Sequence, residues 1–182
     1  MTPRSVTELI SQAGSGTRLK YLFFWGHEPQ RDGSIGAGCL SQWWPSLFNV
    51  DGRAFATAEH WMMWSKAMLF GDNETAGLIL AVDQPHRAKA LGRQVRGFDQ
   101  KTWAAQRFEI VVAGSVAKFS QHKDLGEYLA GTGDRVLVEA SPVDAIWGIG
   151  LASDDPGATD PTQWRGENQL GFALMRARQL IR

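Results

Sequence analysis

The amino-acid sequence predicts an α+β fold that is mostly helical and carries a small sheet. Apolar residues recur at helical spacing in several segments, most clearly between about residues 100 and 120. Only short β-prone runs occur, at 21–25, at 136–140 and as a hairpin over 48–55 with an Asp-Gly turn. Strands and helices do not alternate, so a Rossmann or TIM-barrel architecture is not expected.

Capping residues set the expected helix bounds. Thr57 is the predicted N-cap of a helix from Ala58 to Phe70, and Asp99 that of the long helix after it. Further helices are predicted from Asn73 to Val82, from Asp83 to Arg93, from Asp124 to Ala130 and from Asn168 to Ile181. Residues 1–17 predict a short helix or a loose lead-in, and 26–38 and 148–166 are predicted loops.

Composition excludes several classes of protein. The 182 residues are enough for one domain, and 19 basic residues balance 19 acidic ones, which argues against a polybasic nucleic-acid or membrane binder. One cysteine, Cys39, excludes an internal disulfide and fits a reducing compartment. No apolar run is long enough to span a membrane and the start lacks a signal-peptide pattern, so we expect a soluble cytoplasmic protein.

The segment 57–66 holds a carboxylate and an amine on one helix. Glu59 and Lys66 are seven residues apart, which places them on one face, about 10 Å apart along the axis. Such a pair can reach one ligand from two directions, with Met63 between them. The alternative is a solvated face with the acidic group at the favourable end of the helix dipole.

Two later segments and one early one could also contact a ligand. Asp144 follows a predicted strand, and Trp147 stands beside glycines; the alternative is an Asx turn and a core tryptophan. Arg165 and Asn168 at a helix start could form an anion or ribose site. The alternative is that Asn168 caps the helix and has no ligand. Arg18 and Lys20 could pair with phosphate or be surface charges.

Other kinds of chemistry lack their motifs. The four histidines have no metal-ligand spacing, and no HExxH, GxSxG or P-loop pattern occurs. No metal ion or cofactor is therefore predicted.

Five segments together resemble the NADAR (YbiA-like) family. They are FFWGH at 23–27, CLSQWWPSLFNVDG at 39–52, TAEHWMMWSKAMLFGD at 57–72, ASPVDAIWGIGL at 140–151 and WRGENQLGFALMRAR at 164–178. The resemblance covers 18–182 and implies a single compact, mainly helical domain preceded by a lead-in over 1–17. It also implies N-glycosidase activity, either on phosphoribosyl-pyrimidine intermediates of riboflavin synthesis or on ADP-ribose attached to guanine in DNA.

The resemblance implies a catalytic set. Glu59, Trp103 and Asp144 match residues implicated in the pyrimidine-cleaving members, and Lys66 is the candidate amine for a Schiff-base route in the ADP-ribose-removing members. The residue patterns and the resemblance together predict a substrate-binding set, which consists of Arg18, Lys20, Phe24, Trp25, Gly26, His60, Met63, Trp147, Gly148, Trp164, Arg165 and Asn168.

The chemistry of these residue types fits cleavage of a ribose–base bond. A carboxylate such as Asp144 or Glu59 can stabilise the positive charge that develops on ribose, and a tryptophan face tolerates that cation. Alternatively, Lys66 can attack C1 of a ring-opened ribose while Glu59 moves protons.

The long insert at 149–167 and the full aromatic segment at 20–30 look more like the ADP-ribose-directed group. We therefore expect removal of ADP-ribose from ADP-ribosylated guanine, with ADP-ribosylated DNA as a substrate and no membrane partner. The alternatives are the riboflavin intermediates, a non-catalytic ADP-ribose reader, and a structural domain in which the eight tryptophans only pack a core.

Overall fold

The computed structural model describes residues 2–181 and confirms the α+β, mostly helical fold class. The helices are α1 Val6–Gly14, α2 Ala58–Leu69, α3 Asn73–Leu80, α4 Pro85–Gly92, α5 Gln100–Gln121, α6 Lys123–Gly131 and α7 Gln169–Leu180. The strands are β1 Tyr21–Phe24, β2 Phe48–Val50, β3 Arg53–Phe55 and β4 Val136–Glu139, with short 3-10 turns at Ala37–Leu40 and Pro161–Gln163. No helix within residues 2–181 is both long enough and apolar enough to cross a membrane.

The chain divides into two compact units. The central unit is Gln42–Lys123, and the split unit consists of residues 2–41 and 124–181. The predicted division into a lead-in over 1–17 and a domain over 18–182 stays a prediction, and its outermost residues, Met1 and Arg182, lie outside the described part of the chain.

Local capping bonds begin α2 and α5 of the central unit. The hydroxyl of Thr57 accepts a hydrogen bond from the backbone N–H of His60, and the carboxylate of Asp99 accepts one from Thr102. These bonds satisfy N–H groups that have no partner inside the helix. Both predicted N-caps are therefore confirmed.

An aromatic cluster packs the predicted hairpin against α2. Phe55 lies opposite Phe48 in the β2–β3 pair, and its ring centroid is 5.2 Å from that of Trp61 and 5.4 Å from that of Trp64. The indole N–H of Trp61 donates to the carbonyl of Ile110 at 2.8 Å, which links α2 to α5. Two of the eight tryptophans therefore serve packing, as the structural alternative proposes for all of them.

The split unit contains a parallel strand pair that the sequence pattern does not predict. Strand β1 pairs with β4, with Tyr21 opposite Val136 and Phe24 opposite Glu139. The predicted small sheet is thus two separate two-stranded sheets. In a parallel pair both strands start at one edge, so the residues before β1 and those after β4 lie about 13 Å apart, at opposite edges.

Asn168 fastens the start of α7 to β4. Its backbone has φ of 50°, its side-chain oxygen accepts from the N–H of Glu139 at 3.0 Å, and its side-chain nitrogen donates to the carbonyl of Leu137 at 2.9 Å. The side chain makes no capping bond to its own helix, so the capping alternative is wrong for this residue. The Asn168 side chain therefore supplies the hydrogen bonds that a third strand would otherwise make to β4.

Two segments left open by the sequence are ordered. Residues 6–14 of the lead-in form α1, whose Leu9 is fully buried. In the predicted loop 148–166, Asp160 caps the second 3-10 turn, and the indole N–H of Trp164 donates to the carbonyl of Ala158 at 2.9 Å. Internal hydrogen bonds therefore fix the loop without regular secondary structure.

Replacement of Asn168 should test its role in holding β4. We expect Asn168→Ala to lower the free energy of unfolding by about 2–4 kcal/mol, because a buried N–H and a buried carbonyl lose their partners. Urea denaturation measures the loss. Asn168→Gly tolerates positive φ, so it separates backbone strain from the lost hydrogen bonds; a glycine variant as stable as the parent would contradict the role.

Candidate active site

Lys66 lies in a half-buried, aromatic setting within the central unit. Its amine donates to the carbonyl of Gly92 at 2.7 Å and lies 4.2 Å from the ring centroid of Phe98 and 5.7 Å from that of Trp103. Burial lowers the pKa of Lys66 below its ordinary value, because desolvation disfavours the charged form. The neutral amine is the nucleophilic form of lysine, and a lowered pKa increases the fraction of that form at neutral pH.

Glu59 is buried in the first turn of α2. Its side chain accepts a hydrogen bond from the indole N–H of Trp43 at 3.3 Å, and its backbone N–H donates to the carbonyl of Gln42 at 3.0 Å. The residue is only 3% exposed. The alternative of a solvated helix face is therefore wrong for Glu59, and a buried carboxylate is the kind of group found at functional sites.

A glycine allows α4 to approach α2 between these two residues. A Cβ atom added at Gly92 would overlap the sulfur of Met63, which lies between Glu59 and Lys66 on α2. Because Gly92 has no side chain, its carbonyl comes within reach of the Lys66 amine. Met63 itself is buried, in agreement with a position in the wall between the two groups.

His60 uses both ring nitrogens inside the fold. Nδ1 lies 2.8 Å from the hydroxyl of Thr57, and Nε2 lies 3.0 Å from the carbonyl of Val82. The carbonyl only accepts, so Nε2 carries the proton, and burial lowers the pKa of His60. A substrate contact through this ring stays a prediction and would need one of these bonds to break.

Within the split unit, Asp144 shapes the loop after β4. Its Oδ1 accepts from the backbone N–H groups of Ile146 at 2.9 Å and Trp147 at 2.8 Å, so the Asx turn is present. Trp147 is half-buried, and a Cβ at Gly148 would lie 2.8 Å from the carbonyl oxygen of Glu139. The turn accounts for one carboxylate oxygen; the predicted catalytic role of Asp144 stays a prediction.

The carboxyl edge of the parallel pair also carries Trp25. Phe24 is buried at the end of β1, whereas Trp25 is 63% exposed and Gly26 follows with φ of 79°. Since β1 and β4 end at the same edge, Trp25 and the loop of Asp144 share it. An exposed indole beside a polar loop is a surface on which a nucleobase can stack.

Two further predicted contacts, Trp164 and Arg165, belong to the ordered loop before α7. Trp164 is half-buried, and its ring makes a T-shaped contact with Tyr21 at 6.3 Å between centroids. Arg165 is exposed, and its backbone N–H donates to the carbonyl of Ile149 at 2.9 Å. This hydrogen bond holds the segment beside the loop that follows Trp147.

Arg18 and Lys20 lie at the opposite edge from Trp25. Both precede β1, are exposed, and line a cavity of about 650 Å³ together with Asp134 and Arg178. The structure thus does not bring them together with Trp25 or with the predicted catalytic residue Asp144, although the sequence predicted all four to lie at one site. Their predicted pairing with phosphate stays a prediction at this separate cavity.

Comparison with known proteins gives a family. The NADAR domain model matches residues 23–182. The chain belongs to the NADAR family.

Individual NADAR relatives agree with this assignment. The N-glycosidase R617 of Acanthamoeba polyphaga mimivirus is 40% identical over 165 residues, which cover 88% of this chain and 95% of the relative. The N-glycosidase YbiA of Escherichia coli K12 is 31% identical over 138 residues, 76% of each chain. The NMR structure of E. coli YbiA superimposes with a TM-score of 0.71 at 25% identity, covering 91% of this chain and 86% of that one.

The structure adds residues that the motifs of this NADAR chain did not single out. Trp43 bonds to Glu59, and Phe98 faces Lys66. Both residues lie in loops, so no spacing along α2 indicates them. Within residues 2–181, no three histidine, cysteine, aspartate or glutamate side chains are grouped to hold a metal ion.

The titration of Lys66 tests its environment. We expect its ammonium group to lose its proton below the ordinary lysine value of 10.5, because burial penalises the charge. NMR of the protein with ¹³C-labelled lysine side chains measures the titration, and the spectrum of Lys66→Arg assigns the signal. A midpoint at or above 10.5 would show that the amine is solvated.

Proposed function

We propose that this chain is an N-glycosidase that releases ADP-ribose from ADP-ribosylated guanine through a Schiff base on Lys66. Its relatives R617 and YbiA are named N-glycosidases, which supports the reaction class. The observation that carries the proposal is the half-buried Lys66 amine with its lowered pKa. A simple ligand-binding module needs no such amine, which weighs against a non-catalytic reader.

The proposed reaction begins from the ring-opened ribose, in which C1 is joined to the guanine nitrogen as an imine. The neutral amine of Lys66 adds to C1, and its two protons pass to the guanine nitrogen. The bond from C1 to that nitrogen then breaks, guanine leaves with a free amino group, and C1 stays joined to Lys66 as a new imine. Water then adds to the new imine and releases ADP-ribose and the free amine. A lowered pKa raises the fraction of neutral amine at neutral pH, which favours the first step.

The neighbours of Lys66 fit the charges that arise on this route. The rings of Phe98 and Trp103 lie within cation–π range of the amine, so they also suit a protonated imine at the same position. Glu59 is the proposed proton carrier. Glu59 lies two turns before Lys66, about 10 Å away along the axis of α2, so the two groups can reach one substrate from two directions.

A second candidate is direct hydrolysis of phosphoribosyl-pyrimidine intermediates. The buried carboxylate of Glu59 favours it, because such a group can stabilise an oxocarbenium ion without help from the amine. The two candidates differ in whether Lys66 forms a covalent bond. A cytoplasmic location fits both and stays a prediction.

Trapping with borohydride should decide between the two routes. With ADP-ribosylated guanine oligonucleotide, we expect a reduced covalent adduct of the wild-type protein and release of the free oligonucleotide. Lys66→Ala should lose the adduct and about 1,000-fold or more in rate, because the nucleophile is gone. Mass spectrometry detects the adduct, and chromatography follows release.

Lys89→Ala is the matched control for that experiment, since Lys89 lies near Trp43 but has no role in the proposed steps. It should keep both the adduct and most of the rate. An active Lys66→Ala enzyme would eliminate the Schiff base, and cleavage only of the pyrimidine substrates would favour the second candidate.

Asp144→Asn separates the turn from the charge. The amide oxygen can still accept from Ile146 and Trp147, so we expect an unchanged melting temperature. If the carboxylate acts in the reaction, kcat should fall by roughly 100-fold or more. Full activity with an unchanged melting temperature would assign Asp144 to the turn alone, and Asp144→Ala, which loses both, provides the comparison.

A further inference from the structure

Gln42 and Trp43 hold Glu59 from two sides. The backbone carbonyl of Gln42 accepts from the backbone N–H of Glu59 at 3.0 Å, and the indole of Trp43 donates to the Glu59 carboxylate at 3.3 Å. The first bond also satisfies an N–H group at the start of α2 that has no partner inside the helix. The side chain of Gln42 therefore starts from a backbone position fixed beside Glu59.

That side chain carries an unpaired polar atom. Gln42 is 7% exposed, and its side-chain oxygen is buried with no hydrogen-bond partner among residues 2–181. A buried carbonyl oxygen without a donor is destabilising, and folded proteins satisfy most such atoms. A fold that retains this atom, in a residue whose backbone bonds to Glu59, fits a donor that arrives with the substrate.

The side-chain oxygen of Gln42 limits which substrate groups can bond to it. A carbonyl oxygen only accepts, so it cannot bind a phosphate or another carbonyl. In the proposed reaction Glu59 works at C1 of the ribose, and the nearest hydroxyl to C1 is the 2-hydroxyl. We propose, on the basis of the proposed function, that Gln42 is a substrate-binding residue whose side-chain oxygen accepts a hydrogen bond from the 2-hydroxyl of the released ribose.

This contact would select between two bonds in one substrate. A guanine in DNA is joined to deoxyribose, which has no 2-hydroxyl, whereas the attached ADP-ribose has one. A site built to bond a hydroxyl rejects the analogue that lacks it, because its own polar atom is then left unpaired. Gln42 thereby directs cleavage to the bond between ADP-ribose and guanine, and the bond between guanine and the deoxyribose of DNA stays intact.

Ligand analogues test the contact directly. Calorimetry on the wild-type protein should give at least about 10-fold weaker binding when ADP-ribose lacks the 2-hydroxyl of its terminal ribose. ADP-ribose without the 3-hydroxyl of the same ring is the control ligand and should lose less. Equal binding of ADP-ribose and the 2-deoxy analogue would overturn the proposal without any variant.

The variant Gln42→Leu provides a second, independent test of the contact. It should bind ADP-ribose and the 2-deoxy analogue within about threefold of each other and raise KM for ADP-ribosylated guanine at least about 10-fold. Its resistance to urea should equal or exceed that of the parent, since an unpaired buried atom is removed. A merely structural residue would instead lose stability and activity together.

Ser115→Ala is the matched variant. The Ser115 hydroxyl in α5 is also buried without a partner among the described residues, so its removal should leave KM and the preference for the 2-hydroxyl unchanged. Cleavage by the wild type, with the preference retained in Gln42→Leu, overturns the role of Gln42 and leaves the proposed function standing. A wild type that neither cleaves the substrates nor binds ADP-ribose overturns both.

Discussion

The absence of a side chain at Gly92 is the constraint on which the candidate site of the central unit depends. It lets α4 approach α2 at Met63, and this approach brings a backbone carbonyl to the Lys66 amine. The same approach removes water from the amine, and desolvation is what lowers its pKa. Packing and reactivity are therefore linked at one position, because a side chain at Gly92 would force Met63 to move.

In the split unit, the buried side-chain amide of Asn168 bonds to the backbone of β4. Within residues 2–181, strand β4 pairs with no strand other than β1, and a two-stranded pair leaves backbone groups on its other side without strand partners. Asn168 supplies both a donor and an acceptor to that side, in a left-handed conformation that asparagine tolerates better than most residues. The loops that follow β1 and β4, with Trp25 and Asp144, start from strand ends fixed in this way.

The sequence predicted what depends on near neighbours in the chain. Thr57 and Asp99 begin their helices through bonds to residues three positions on, so capping preferences were sufficient. The pairing of β1 with β4 joins distant segments and left no local signal. In the site, helical spacing and resemblance gave Glu59 and Lys66, but a charged residue on a helix is ordinarily solvated, so the burial of Glu59 was not indicated. Gln42 and Phe98 reach the site from loops and were missed for that reason.

The parallel pair also sets an order for folding. Residues 25–135 lie between β1 and β4, so β1 leaves the ribosome long before its partner strand exists. The central unit lies wholly within that interval and is built from contacts between helices close in sequence, which form early and fast. During synthesis, β1 therefore has no strand partner until β4, which follows α6, has emerged from the ribosome. Its short length, four residues, limits the edge that it offers to other chains in that time.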